Sequence, residues 1–124
     1  MRVRTIRGLL AGLVVVLSMT ACSAGSAAPQ VADPDAVVID VRTPQEFAEG
    51  HLRGATNIDV QSGSFEQEVS ELETGGSYVV YCRSGNRSAR AVELMTNLGF
   101  QHVVDAGGLQ DAAHATGLPI VTDQ

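Results

Sequence analysis

The sequence predicts an α/β domain: a small, mostly parallel sheet with helices on both faces. Three observations predict it. Residues 36–41 and 77–81 are apolar runs rich in β-branched residues, without polar alternation, as strands buried on both faces are. Around them lie segments with apolar residues at helical spacing and identifiable start and stop residues. Strands and helices therefore alternate along the chain, the order expected of a sheet built from parallel crossover units.

The first strand, 36–41, is bounded by Pro34-Asp35 and by Thr43-Pro44. Thr43-Pro44-Gln45-Glu46 is a capping box with proline at the first helical position, so a short helix is expected to run to Glu49 and stop at Gly50. Residues 55–58 form a short second strand. In 64–74, Phe65, Val69 and Leu72 share one helical face, while Glu66, Glu68, Glu71 and Glu73 make the solvated one; Gly75-Gly76 ends the helix. The strand 77–81 leads into Cys82. A helix then starts at Arg87 or Ser88 and runs to Leu98, with Ala89, Val92, Met95 and Leu98 towards the core and Gly99 as its stop. His102-Val103-Val104 is a third strand, Gly107-Gly108 a turn, and 109–115 a last helix. Gly117-Leu118-Pro119 leads to a short tail. No internal repeat is visible, so 35–124 is expected to be one domain.

The N-terminus has a different composition. Residues 1–8 carry Arg2, Arg4 and Arg7 and no acid, 9–17 are apolar or small, and Met19-Thr20-Ala21-Cys22 follows. A basic segment, a short hydrophobic one and a small-residue site form a secretory signal, 1–21. The hydrophobic run is shorter than the roughly 20 residues a spanning helix needs. Met19-Thr20-Ala21-Cys22 resembles a bacterial lipobox, which implies a lipidated Cys22 and, through 22–34, a small-residue tether to the domain. An ordinary cleaved signal and an uncleaved anchor are the alternatives. The lipobox reading makes the protein exported and membrane-attached through its lipid, at the cell membrane or envelope.

Charge narrows the function. The chain has a formal charge of -6, and without its first three arginines the remainder carries -9. So acidic a body argues against nucleic acid, whose phosphates need neutralising by Lys or Arg. Of the five remaining arginines, Arg83, Arg87 and Arg90 crowd just beyond Cys82, a cue to an anionic ligand. There are two cysteines. With Cys22 consumed by lipid, Cys82 is a lone thiol; the alternative is a Cys22–Cys82 disulfide.

Cys82-Arg83-Ser84-Gly85-Asn86-Arg87-Ser88 lies between a buried strand and an amphipathic helix. Strand, tight loop and helix N-terminus make an anion cradle of inward-facing amides. A cysteine at its mouth has a depressed pKa and thiolate character. Sulfur transfer, phosphate ester hydrolysis and redox exchange all suit such a thiol. Position 85 is glycine, so no Cys-x-x-Cys redox pair exists. His51, His102 and His114 fall one per segment, without ligand spacing, so neither a metal nor an organic cofactor is implied.

Residues 40–58, from Asp40-Val41-Arg42 through Gly50-His51-Leu52 to Asn57-Ile58, resemble the first signature of the rhodanese family. Tyr81-Cys82-Arg83-Ser84-Gly85-Asn86-Arg87-Ser88 is similar to its active-site loop. Leu98-Gly99-Phe100, Gly107-Gly108 and Gly117-Leu118-Pro119 resemble its closing segments, so the likeness covers about 35–120. It implies a rhodanese fold and sulfurtransferase chemistry through a Cys82 persulfide. A small donor such as thiosulfate would load it, and a small acceptor or an envelope protein thiol would discharge it. A non-catalytic rhodanese module that binds or delivers sulfur to an envelope partner is the other reading. Asp40 and Arg42 are expected to brace the loop, and His51 to fix a loop.

Cysteine phosphatases of the same fold have five residues between cysteine and arginine. Here four separate Cys82 from Arg87, which favours sulfur over phosphate. The family's usual tryptophan, four residues beyond the second closing glycine, is replaced by Ala112. This predicts a more open pocket wall.

Overall fold

The computed structural model describes residue 31 and residues 33–123. The predicted signal 1–21, the Cys22 lipidation site and most of the tether lie outside the described residues. Ten elements follow in order: β1 (Val37–Asp40), α1 (Pro44–Glu49), β2 (His51–Leu52), β3 (Thr56–Asn57), α2 (Phe65–Ser70), β4 (Ser77–Cys82), α3 (Asn86–Asn97), β5 (His102–Gly108), α4 (Leu109–Thr116) and β6 (Ile120–Val121).

Four strands form one parallel sheet in the order β3-β1-β4-β5, with Val38 opposite Val79 and Ile39 opposite Val80. Alternation along the central strands splits the core into two layers. Ile39, Val41, Tyr78, Val80 and Cys82 face one side, against Phe65 and Val69 of α2 and Ala91 and Met95 of α3. Val38, Val79 and Tyr81 face the other, with Leu52, Ala106 and Ala112 of α4. The predicted class, a mostly parallel sheet covered on both faces, is what the chain adopts.

Several details differ from the sequence reading. On α3, Ala89 and Leu98 are exposed, and the buried face is Ser88, Ala91 and Met95. The helix begins at Asn86, and this phase turns Ser88 towards Cys82. Gly107-Gly108 is not a turn but the bulged end of β5. Val80 opposes Asp105 and Cys82 opposes Gly108, so β5 has one residue more than β4 across that step. The extra residue leaves Gly107 at φ +74, in the left-handed region. The C-terminal segment is not a free tail either: β6 pairs antiparallel with β2, His51 opposite Val121 and Leu52 opposite Ile120. Finally, Ala112 is fully buried among Val38, Leu52, Val79, Tyr81 and Ala106, so its place is core and not a pocket wall.

Candidate active site

The Thr43 capping box forms as predicted: Thr43 Oγ1 accepts from the Glu46 amide, and Glu46 Oε2 accepts from the Thr43 amide at 3.1 Å. This fixes the first turn of α1 next to the C-terminal end of β1. The parallel pairing of β1 and β4 brings Asp40 level with Tyr81, so α1 stands beside the end of β4 that carries Cys82.

Cys82 is the last residue of β4 and is fully buried. The chain leaves the strand through Arg83 and Ser84, both exposed, and enters α3 through Gly85 at φ +96. Only glycine takes that angle without strain. The bend aims the Gly85 amide at Cys82 Sγ, 2.9 Å away. Ser88, one turn into α3, places its Oγ 3.5 Å from Sγ and also donates to the Gly85 carbonyl at 3.0 Å. Burial pushes the thiol's pKa up, but the Ser88 hydroxyl and the amides of Ser88, Ser84 and Gly85 outweigh it, so it lies below the ordinary thiol value.

The loop is backed by the closing glycines. A β-carbon on Gly108 would stand 2.6 Å from the Arg83 carbonyl oxygen, and one on Gly85 would stand 3.7 Å from Gly107 Cα. Backbone lies against backbone, and a side chain at Gly108 would push the loop away. The Gly107 amide donates to Asp105 Oδ1 at 2.9 Å, and Asp111 Oδ2 accepts from Gly108. The bulge therefore has its own anchors.

The arginines of the loop divide. Arg83 is exposed and makes no ion pair among the described residues. Arg87 is half-buried, and its fork meets Glu46 of α1 at two points, Nη1 to Oε2 at 2.7 Å and Nη2 to Oε1 at 2.8 Å. This contact, bridging 41 residues, had no signal in the local sequence. Asn86 is exposed at the first position of α3.

Asp40 and Arg42 are supports, but of a different element than expected. Arg42 donates to both carboxylate oxygens of Asp40, the shortest contact being Nη2 to Oδ2 at 2.6 Å, and to the Gly50 carbonyl at 2.6 Å. Asn57 Nδ2 donates to the carbonyls of Asp40 and Arg42. The buried pair thus braces the passage from β1 through α1 to β2 and makes no hydrogen bond to residues 83–88. Its link to the site is indirect: Arg42 lies over the Tyr81 ring at 5.7 Å, and the Tyr81 hydroxyl accepts from the Leu52 amide at 3.0 Å. His51 stacks on Phe47 with ring centroids 3.7 Å apart, and its Nδ1 lies 2.8 Å from the Phe47 carbonyl. It fixes the end of α1 and is not among the groups bonded to Cys82. His102 and His114 are exposed.

The arrangement presents a buried sulfur, amides aimed at it and a guanidinium near the loop's rim, at the carboxyl ends of parallel strands. It can hold negative charge on a sulfur atom and so favours a thiolate nucleophile. The family description "Rhodanese-like domain" matches residues 23–114. A thiosulfate sulfurtransferase of Escherichia coli K12, PspE, is 35% identical over 75 residues, which cover 60% of this chain and 72% of that protein. A solved structure described as a rhodanese with anions from E. coli superposes with a TM-score of 0.60 at 33% identity, covering 70% of this chain and 98% of that one. A tRNA uridine(34) hydroxylase of Acaryochloris marina is 37% identical over 82 residues, but the chain spans only 26% of it. The match over most of the chain, the parallel sheet and the Cys82 loop agree, and the chain belongs to the rhodanese-like family of sulfurtransferases.

Proposed function

We propose that the protein is a sulfurtransferase that moves a sulfane sulfur from a small anionic donor such as thiosulfate to a thiophilic acceptor, through a persulfide on Cys82. The observation that carries the reading is the Gly85 amide 2.9 Å from Sγ, with Ser88 on the same sulfur. The Cys82 thiolate attacks the outer sulfur of thiosulfate. A bond forms between the two sulfurs, the bond to the sulfonate sulfur breaks with its electron pair, and sulfite leaves. In the second half-reaction cyanide or a thiolate attacks the terminal sulfur, and Cys82 departs as thiolate. This is nucleophilic catalysis in two steps. The amides that hold charge on the thiolate are placed to hold it on the persulfide, as an oxyanion hole does for oxygen. Cys82 is the catalytic residue in this reading, with Arg83, Ser84, Gly85, Asn86, Arg87 and Ser88 forming the donor-binding loop.

The proposed setting is the cell envelope, with Cys22 lipidated and the domain tethered to the membrane. An envelope protein thiol is one acceptor that this location would offer.

Intact mass of the full chain in detergent, before and after thiosulfate, tests the reading. The expected result is one added sulfur, absent in Cys82→Ala and released by cyanide as thiocyanate. No added sulfur on a free Cys82 thiol would overturn it and favour a rhodanese module that binds or delivers sulfur to a partner.

A further inference from the structure

Arg87 is presented by the first turn of α3, immediately after the loop. Glu46 is presented by the first turn of α1, which β1 places beside it. Their two-point contact, 2.7 and 2.8 Å, joins the start of both helices across the rim of the site. Glu46 is itself fixed: Oε2 also accepts from the amide and the hydroxyl of Thr43, each at 3.1 Å. A carboxylate so held has little freedom, and neither has the fork bound to it. Among the described residues, two of the five N–H donors of Arg87 are taken.

Charge points the same way. The loop gathers two arginines, yet Arg87 is opposed by a carboxylate in direct contact. Glu46 and Asp59, the latter from the segment after β3, both stabilise the charged form of Arg87, and so does a thiolate at Cys82. The carboxylate in direct contact with the guanidinium is that of Glu46. Arg83, by contrast, is exposed and makes no ion pair among the described residues. The remaining carboxylates near the loop, Asp105 and Asp111, are engaged by the amides of Gly107 and Gly108 behind it.

We propose that Glu46 is a positioning residue of the active site: it holds Arg87 at the edge of the Cys82 loop and offsets its charge, setting how strongly the site attracts an anionic donor. The proposal rests on the reading that Cys82 takes sulfur from such a donor. With Glu46 neutral, Arg87 gains reach and uncompensated charge. Donor capture strengthens, the thiolate is favoured further, and the guanidinium loses the fixed place from which it meets the donor.

Glu46→Gln separates these effects, and Thr43→Ala is the companion variant: it removes the helix cap and one bond to Glu46 but leaves the charges of Glu46 and Arg87 in place. In the full chain, Glu46→Gln is expected to lower the KM for thiosulfate about threefold or more and to lower kcat as well. It should also steepen the dependence of KM on ionic strength. The pH profile of Cys82 alkylation by iodoacetamide should move to lower pH. Thr43→Ala, which keeps both charges, should move KM and the alkylation profile less than Glu46→Gln does; an equal or larger shift would overturn the charge-offset role of Glu46. Glu46→Asp restores the charge on a shorter stem: the alkylation profile should return towards wild type while kcat stays low. It also provides the reading if Glu46→Gln fails to fold. Unchanged KM and alkylation profile in a folded Glu46 variant would overturn the proposal. Alkylation needs no turnover, so that failure is distinct from a wild-type chain that takes up no sulfur.

Discussion

The Gly85 amide donates to Cys82 Sγ across 2.9 Å, and the left-handed turn at Gly85 is what aims it there. The bond is charge-assisted when the sulfur is a thiolate, and it is joined by the Ser88 hydroxyl 3.5 Å away. In the thiol form, Ser88 donates to the Gly85 carbonyl and the thiol can donate to Ser88. With a thiolate, the hydroxyl turns to donate to sulfur. Ser88→Ala removes that donor and leaves the backbone intact. The thiol should then titrate higher, and alkylation at neutral pH should slow about fivefold, equivalent to roughly 1 kcal/mol. Stopped-flow alkylation over a pH series measures both.

Gly108 is where backbone meets backbone. Its added β-carbon would lie 2.6 Å from the Arg83 carbonyl oxygen, which no rotamer change relieves. Gly108→Ala is expected to cost about 1–3 kcal/mol in urea unfolding. It should also slow persulfide formation, because the loop must shift to make room. A variant with wild-type stability and wild-type sulfur uptake would show that the contact is slack.

Asp40 and Arg42 are buried together, at 0% and 6% side-chain exposure. Asp40→Ala would leave a buried guanidinium with the Gly50 carbonyl and no counter-charge in contact with it. The expected loss is about 3–5 kcal/mol. Asp40→Ala combined with Arg42→Met should lose less than Asp40→Ala alone, since the stranded charge is gone. Chemical denaturation of the single and double variants gives the comparison.

Glu46 carries an acid signature. The fork from Arg87 holds its pKa down to about 2, against an ordinary value of 4.5. A carboxylate lowered in the folded state stabilises the fold fully above pH 4.5, and that contribution fades as pH falls towards about 2. The side chains are about a fifth exposed, so solvent screening limits the pair to about 1 kcal/mol. Urea unfolding of wild type and Glu46→Gln should differ by that amount at pH 6 and converge near pH 2.

The parts legible in the sequence were those written locally. The apolar strands, the Thr43-Pro44 start of α1 and the Cys82 loop each carry their cause within a few residues. What was missed depends on distant contacts. Helical spacing placed Ala89 and Leu98 inward, but the start of α3 at Asn86 turns Ser88 in instead. Gly107-Gly108 has turn composition, yet its glycines answer to the Arg83 carbonyl, which no nearby residue announces. The strands β2 and β6 are two residues each, too short for any alternation to show. The partner of Arg87 lies on another helix, and a capping box explained Glu46 completely without it. Ala112 suggested an open wall because its neighbours in space, Tyr81 and Leu52, are far from it in sequence.

The Val31 amide donates to the Ala115 carbonyl at 3.3 Å, near the end of α4 that points away from Gly108 and the Cys82 loop. The chain thus enters the domain at the pole opposite the reactive sulfur. Nine residue steps separate Val31 from Cys22, a reach of at most about 30 Å. Were the chain anchored at Cys22, as proposed, its attachment would lie at the pole away from the Cys82 loop and leave that loop uncovered.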